Sequence, residues 1–550
     1  MINSWVVLVP PALVLILAFA THKVRMSLLA GIVSASLILH KGSLKDSFYT
    51  LVSRIWRTID LKTLGSWKSF IGGWALLLLL FLFGTGILIA LIGHSGGAHA
   101  YGELVKKRLK SVRATEFASL LLSPFFFIDD YFSCFTVGSV MRPLTDKYKI
   151  ARAKLAFLVD SFAAPICLVV PVSSWVAVIV MQMREAGLST ENHGKMVVAI
   201  DPFYLYLMLI PFAFYSIIML VSVLFIVWRR ISFGLMKYHE DCAKKNGDLF
   251  GGEKPLNTKV GEVHHSNIGK ESVWDFTLPI FVLIAAVFGS LLYFGDTWLF
   301  GGSQTIIHAL RFAAITPSLF IGVFITLIST LIFLFARGRM SAKALPKVLY
   351  DGFDLMFSVV IMLILAWTFS SLLKEDLKTG EYIAHTFVKS VPIYLLPLLF
   401  LAVSSIASAA MASAWGTITV MIPIVVPMVV SLYGGKGVVG LEDVPILVPA
   451  LAAVLAGAVS GNHLSPVSDT TIMSAASSGC YHLDHVKTQL WYSIPTIIST
   501  GVAFLVSGIL IGWTSFGVNA SVSLGVGLTL NISMLYLLHL IYASKKSSRS

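Results

Sequence analysis

The 550-residue chain is 57% hydrophobic and 13% charged, with a mean hydropathy of +0.84. Soluble domains carry about 25% charged residues, so that class is excluded. The 41 basic residues against 28 acidic ones give a formal charge of +13. They concentrate in loops beside apolar runs, where cytoplasmic loops gather Lys and Arg, so the charge implies no nucleic-acid partner.

Runs such as Trp74 to Ile92, Tyr204 to Trp228, Phe276 to Phe294, Ser318 to Phe335 and Met356 to Leu373 each approach the ~20 residues that a spanning helix needs. They are apolar all round, whereas a membrane barrel needs alternating residues. The expectation is an all-α polytopic membrane protein. Trp5 to Ala20 resembles a signal-peptide core, but no basic residue precedes it, which makes it a retained first span. Cys134, Cys167, Cys242 and Cys480 lack metal or redox spacing, and neither a disulfide nor a zinc site is expected.

In chain order the expected spans are 4–20, 26–40, 70–92, a polar-studded region 116–141, 155–181, 203–228, 276–295, 318–336, 350–373, a second studded region 391–432, 445–477, 491–513 and 519–542. Lys106, Lys107, Arg108, Lys110 and Arg113, the loop 229–275, the cluster Arg337, Arg339, Lys343 and Lys347, and the tail all place on the cytoplasmic side. Lys147, Lys149, Arg152 and Lys154 join them, so 116–141 must enter and leave on one face as a re-entrant hairpin. The same reasoning makes 391–432 a hairpin opening the opposite way.

Each hairpin precedes a Pro-broken span. The first carries Asp160, Ser161, Pro165 and Pro171; the second carries SGNHLSPVSDTT, Ser460 to Thr471. The expected organisation is an inverted-topology repeat of two five-helix halves, 1–228 and 276–513. A cytoplasmic loop, 229–275, joins them, and an extra C-terminal helix with a basic tail, 514–550, follows. Paired interrupted segments in matching positions point to a transporter site. The basic stretch Lys41 to Lys68 is the misfit, falling outside; with Arg54, Trp56 and Arg57 it suggests an interfacial amphipathic helix.

Three acids are candidates for holding sodium: Asp130, Asp160 and Asp469. Acids at membrane depth are functional by default. Asp129 and Asp130 lie together amid aromatics, and either one is alternatively the cap of a helix starting at Tyr131. Asp160 and Asp469 are alternatively partners for loose backbone amides at the breaks. Ser133, Thr136, Ser161, Thr417, Thr419, Ser465, Ser468 and Thr470 offer the neutral oxygens that hard cations prefer, though singly each is an ordinary helix-packing residue. Asn462 and His463 sit at the second break; His463 is either a proton relay or a core histidine. Glu116 is expected to pair with Arg113 at the membrane surface. No GxxxxGK[ST] loop occurs, so no ATP site is visible and an ion or substrate gradient must supply the energy. An intramembrane protease using Asp129 and Asp469 is the reading of another class; paired helix breaks count against it.

Phe127 to Trp175, beginning FIDDYFSCFTVGSVMRPLTDKYK, together with SGNHLSPVSDTT and SAWGT at Ser413 to Thr417, resembles the NhaC-type sodium/proton antiporter family. The resemblance implies exchange of sodium for protons across a bacterial inner membrane, with sodium and protons as transported ions and no other cofactor. It also implies an inverted-repeat fold, often a homodimer, with the C-terminus in the cytoplasm. Two features depart from the family: Asn462 stands where an acid is usual, and Ala409 to Ala412 replaces an oxygen-rich run. Related carriers move organic and amino acids, so the alternative expectation is a sodium- or proton-coupled carrier of a small carboxylate.

Overall fold

The computed structural model describes all residues except 1–3, 22–23, 60–73, 98–99, 102–110, 128–129, 172, 190–197, 254–271, 307, 310–313, 380–381, 383–390, 434–437 and 548–550. Among the described residues the chain is almost wholly helical, and eight helical segments are long and apolar enough to cross a membrane. It is an all-α, multi-pass membrane protein.

The antiparallel pair α1 (Val9–Thr21) and α2 (Val24–Leu39) leads into α3 (Leu44–Ile59). Leu44, Phe48, Tyr49, Val52 and Trp56 stand exposed along α3 at helical spacing, which is the pattern of an amphipathic surface helix. Its Arg54 pairs with Glu375 and Asp376, so this cation of the misfit stretch is neutralised locally. After α4 (Trp74–His94) come α5 (Val112–Leu122) and α6 (Asp130–Lys147). Ser111 caps α5 by accepting from the Ala114 amide at 3.1 Å.

Next come α7 (Arg152–Val169), α8 (Ser174–Glu185), two short parallel strands β1 (Leu188–Ser189) and β2 (Val198–Ala199), α9 (Pro202–Leu209), α10 (Phe214–Arg229) and α11 (Gly234–Asn246). The second half runs α12 (Trp274–Phe294), α13 (Ile315–Ala336), α14 (Leu345–Ser371), α15 (Leu396–Met411), α16 (Ala414–Leu432), α17 (Leu447–Leu464), α18 (Asp469–Ser478), α19 (His482–Leu510) and α20 (Phe516–Ser547). Helices α4, α12, α13 and α14 pack together, while α7, α17, α18 and α19 form the interior. Helix α17 lies tightly on α15: a Cβ at Gly457 would come within 2.5 Å of Ser404 Cβ, and one at Gly461 within 2.2 Å of the Ser405 carbonyl. Small residues one turn apart are what permit such an approach.

Side-chain and strand contacts sort the loops into two sets. One set joins Arg54 to Glu375 and Asp376, Thr379 to the Val7 carbonyl, and Val198 to Val439. The other joins Glu116 to Arg230 at 2.5 Å, Lys154 to Glu240 at 3.2 Å, Arg152 to Asp146 and the Gly479 carbonyl, and Lys237 to the Tyr542 carbonyl. Glu116 therefore pairs with Arg230 rather than Arg113, because α5 turns its buried face toward α7 and α10.

The broken span 155–181 carries two prolines, and the structure breaks at only one of them. Helix α7 runs unbroken through Pro165 and ends at Val169. Packing on every side holds the helix together despite the hydrogen bond that proline removes. The interruption falls instead at Pro171, where Val170 turns extended (φ −81°, ψ 125°), as the residue before a proline does. The span expected at 203–228 is likewise two helices, α9 and α10, joined by a 3-10 turn around Pro211.

Candidate functional site

The second break forms as the sequence dictates. Pro466 has no amide hydrogen, Ser465 before it is extended (φ −85°, ψ 126°), and Ser468 opens the next helix from φ −62°, ψ 140°. Asn462 bridges the gap: its side-chain amide donates to Thr470 Oγ1 at 2.9 Å and its oxygen accepts from the Ser468 hydroxyl. Ser465 donates to the Ala409 carbonyl at 3.1 Å, tying the break to α15, and His482 Nε2 donates to the freed Pro466 carbonyl. Every one of these residues is buried except Ala409 and His482, which are partly so.

Half-helix α18 lies between α6 and α7 and delivers two hydroxyls to Asp160. Thr471 Oγ1 is 3.3 Å from Asp160 Oδ2, and Ser474 Oγ is 3.2 Å from Oδ1. From α19, Gln489 Nε2 donates to Oδ2 at 2.7 Å and His485 Nε2 stands at 3.3 Å. Asp160 is 1% exposed, so these four donors replace water around the carboxylate. Gln489 also donates to the His463 carbonyl at 3.2 Å, and His463 Nδ1 meets the Tyr215 hydroxyl at 2.9 Å. On the opposite flank of α18, Asp469 accepts from the Tyr131 hydroxyl and, at 2.9 Å, from the Thr470 amide.

The structure gathers Asp160, Asn462, His463, Ser465, Ser468, Asp469 and Thr470 around this break. Ser161 is buried beside Asp160. Asp130 is buried at the first residue of α6, adjacent to the Tyr131 that reaches Asp469; Asp129 lies outside the described residues. Ser133 and Thr136 are buried on α6 around Cys134, whose thiol accepts from Ser474 at 3.2 Å and whose carbonyl accepts from Ser477 at 2.8 Å. Thr417 and Thr419 differ: each donates to a carbonyl of its own chain segment, Ser413 at 2.9 Å and Trp415 at 2.7 Å.

Sequence reasoning omitted Tyr131, Tyr215, Thr471, Ser474, His485 and Gln489 from the candidate site residues. His485 and Gln489 precede the apolar run expected at 491–513, a position that suggests a loop. Their i, i+4 spacing on α19, which begins at His482, is the signal that places both on one face.

A buried carboxylate at a broken helix inside a membrane-spanning bundle defines a secondary transporter rather than an enzyme. The chain belongs to the Na+/H+ antiporter family, whose model matches residues 166–509. It is 31% identical over 503 residues to an uncharacterized protein of Haemophilus influenzae, covering 91% of this chain and 90% of that one. It is also similar to the malate-2H(+)/Na(+)-lactate antiporter of Bacillus subtilis, with 33% identity over 124 residues, 22% of this chain and 23% of that protein. The Na(+)/H(+) antiporter NhaC of Alkalihalophilus pseudofirmus is 34% identical over 76 residues, 14% of this chain and 16% of that protein.

Proposed function

We propose that this chain exchanges sodium for protons across a bacterial inner membrane, with Asp160 as the residue at which the two ions compete. The observation that carries the reading is the ring of Thr471, Ser474, His485 and Gln489 donors around a buried carboxylate. A hydroxyl is donor or acceptor according to its rotation. The Thr471 and Ser474 groups that donate to a cation-free Asp160 therefore turn lone pairs toward a sodium ion, which prefers hard oxygens. A proton on the same carboxylate removes the charge that holds the sodium. Asp469, with Tyr131 and the Asn462–Thr470 staple, fixes the half-helix that supplies those hydroxyls; Asp130 and Ser161 flank the same centre.

The same reading takes the two halves as an inverted-topology repeat. Supporting it, α18 packs on α6 of the first hairpin while α8 packs on α16 of the second, an exchange of partners that a twofold relation produces. The two loop sets also agree with hairpins opening to opposite faces, the set holding Lys154, Arg230 and the α20 C-terminus being cytoplasmic. Alternating exposure of the centre then follows from movement of the hairpin-bearing parts against the remaining helices.

One observation favours a second reading. The similarity to the Bacillus subtilis malate and lactate antiporter suits coupled carriage of a small carboxylate, with the positive end of a half-helix holding the anion. Purified protein in liposomes, given an outward sodium gradient, separates the two. Sodium-driven proton uptake without added acid supports antiport, and flux that appears only with malate or lactate supports the carrier.

A further inference from the structure

One face of α19 is polar along its whole length: Gln489, Ser493, Thr496, Thr500 and Ser507 recur at helical spacing, and all are buried. This face turns to α10 and α20, which approach closely; a Cβ at Gly527 of α20 would lie 3.0 Å from Ala503 Cβ and 3.3 Å from the Ser499 carbonyl. The neighbours answer with polar groups of their own. Asn531 on α20 donates to Ser222 of α10 and, at 3.5 Å, to Thr496. One end of the seam touches the ion centre, where Gln489 binds Asp160, and His463 and Tyr215 join beside Ser493. At the other end Asn519 donates to the Ser507 carbonyl at 2.9 Å and accepts from Ser523 at 3.2 Å.

Four polar atoms along this seam find no protein partner among the described residues although fully enclosed: Gln489 Oε1, Ser493 Oγ, Asn531 Oδ1 and Ser507 Oγ. Helix packing alone does not ask for an amide oxygen pointed at nothing, and buried polar groups in native proteins are satisfied by protein or by ordered water. Their spacing matters, for they fall near the start, middle and end of the seam. Thr496 and Ser507 are eleven positions apart on α19, about 16 Å at 1.5 Å per residue.

We propose that the seam of α10, α19 and α20 binds a file of water molecules and serves as the proton lane between Asp160 and the external end of the bundle. This rests on the antiport reading above. A proton entering near Asn519 is accepted by a lone pair of the first water, which passes one of its own protons onward. Repetition along the file ends with an O–H bond on Asp160, and sodium leaves the neutralised carboxylate. Nothing is oxidised or reduced.

Hydroxyl-radical labelling of the full chain in lipid nanodiscs tests the water directly. Radicals made in bound water modify adjacent rings, so Tyr215, 0% exposed, should be labelled, and Asn531→Leu should lower that labelling. In liposomes Asn531→Leu should slow sodium-driven proton flux about tenfold, a barrier change of about 1.4 kcal/mol. Exchange of radiolabelled sodium for sodium, which needs no proton, should stay unchanged. Asn531→Ser, which keeps a hydrogen-bonding group, should restore the flux. An unlabelled Tyr215 in a protein with intact antiport overturns the lane alone, as does equal loss of both fluxes in Asn531→Leu. A labelled Tyr215 in a protein that moves sodium without protons overturns the antiport reading and, with it, the proton role of the seam.

Discussion

Tyr131, the second residue of α6, donates its hydroxyl to Asp469, the first residue of α18 after the break that ends α17. Residues 338 positions apart thus join α6 to the half-helix that follows the break. The half-helix so held also carries Thr471 and Ser474.

Tyr131→Phe tests that connection. It leaves a buried carboxylate oxygen short of a donor, a loss of about 1–3 kcal/mol. The half-saturating sodium concentration for transport should rise about tenfold or more, with the protein still folded by circular dichroism. An unchanged sodium dependence would make Tyr131 a packing residue only.

Asn462→Ala removes both hydrogen bonds across the break, leaving the Thr470 and Ser468 hydroxyls without those partners in a dry interior. The expected result is a lower unfolding temperature in detergent together with weaker sodium binding, since α18 is no longer stapled to α17. Weaker sodium binding at unchanged stability would place Asn462 among the ligands instead.

Lys154 lies six residues before Asp160 on α7, and its ammonium, 2% exposed, is 3.2 Å from Glu240 of α11. Removing one member of a buried pair costs about 3–5 kcal/mol, whereas replacing both by apolar residues is often nearly neutral. Glu240→Gln should therefore destabilise strongly in thermal unfolding, and Lys154→Met with Glu240→Leu should recover most of the loss. Additive losses in the double variant would show that the two charges act independently.

Much of this centre is legible in the amino-acid order. Gly461, Pro466 and the oxygens around them announce a break, and Asn462, Ser468, Asp469 and Thr470 all prove to lie at it. The amphipathic helix α3 is readable from charge and hydropathy as well. Pro165 misleads because proline's penalty is local, while the support that carries α7 past it comes from helices far away in sequence. His485 and Gln489 are obscured for a related reason: a polar turn ahead of an apolar run looks like loop until the distant Asp160 supplies a buried partner. Thr417 and Thr419 show the converse, because composition does not reveal that each hydroxyl donates to a carbonyl of its own segment.

The central claim is that sodium and protons compete at Asp160, and sodium binding measured by titration calorimetry across a pH series tests it most directly. The account predicts an apparent dissociation constant that rises as pH falls, by up to about tenfold per pH unit where one carboxylate titrates. It also predicts proton release on binding that reverses when the sodium is removed, and loss of both signals in Asp160→Asn. Sodium binding that is indifferent to pH, or that survives in Asp160→Asn with its proton release intact, would contradict it.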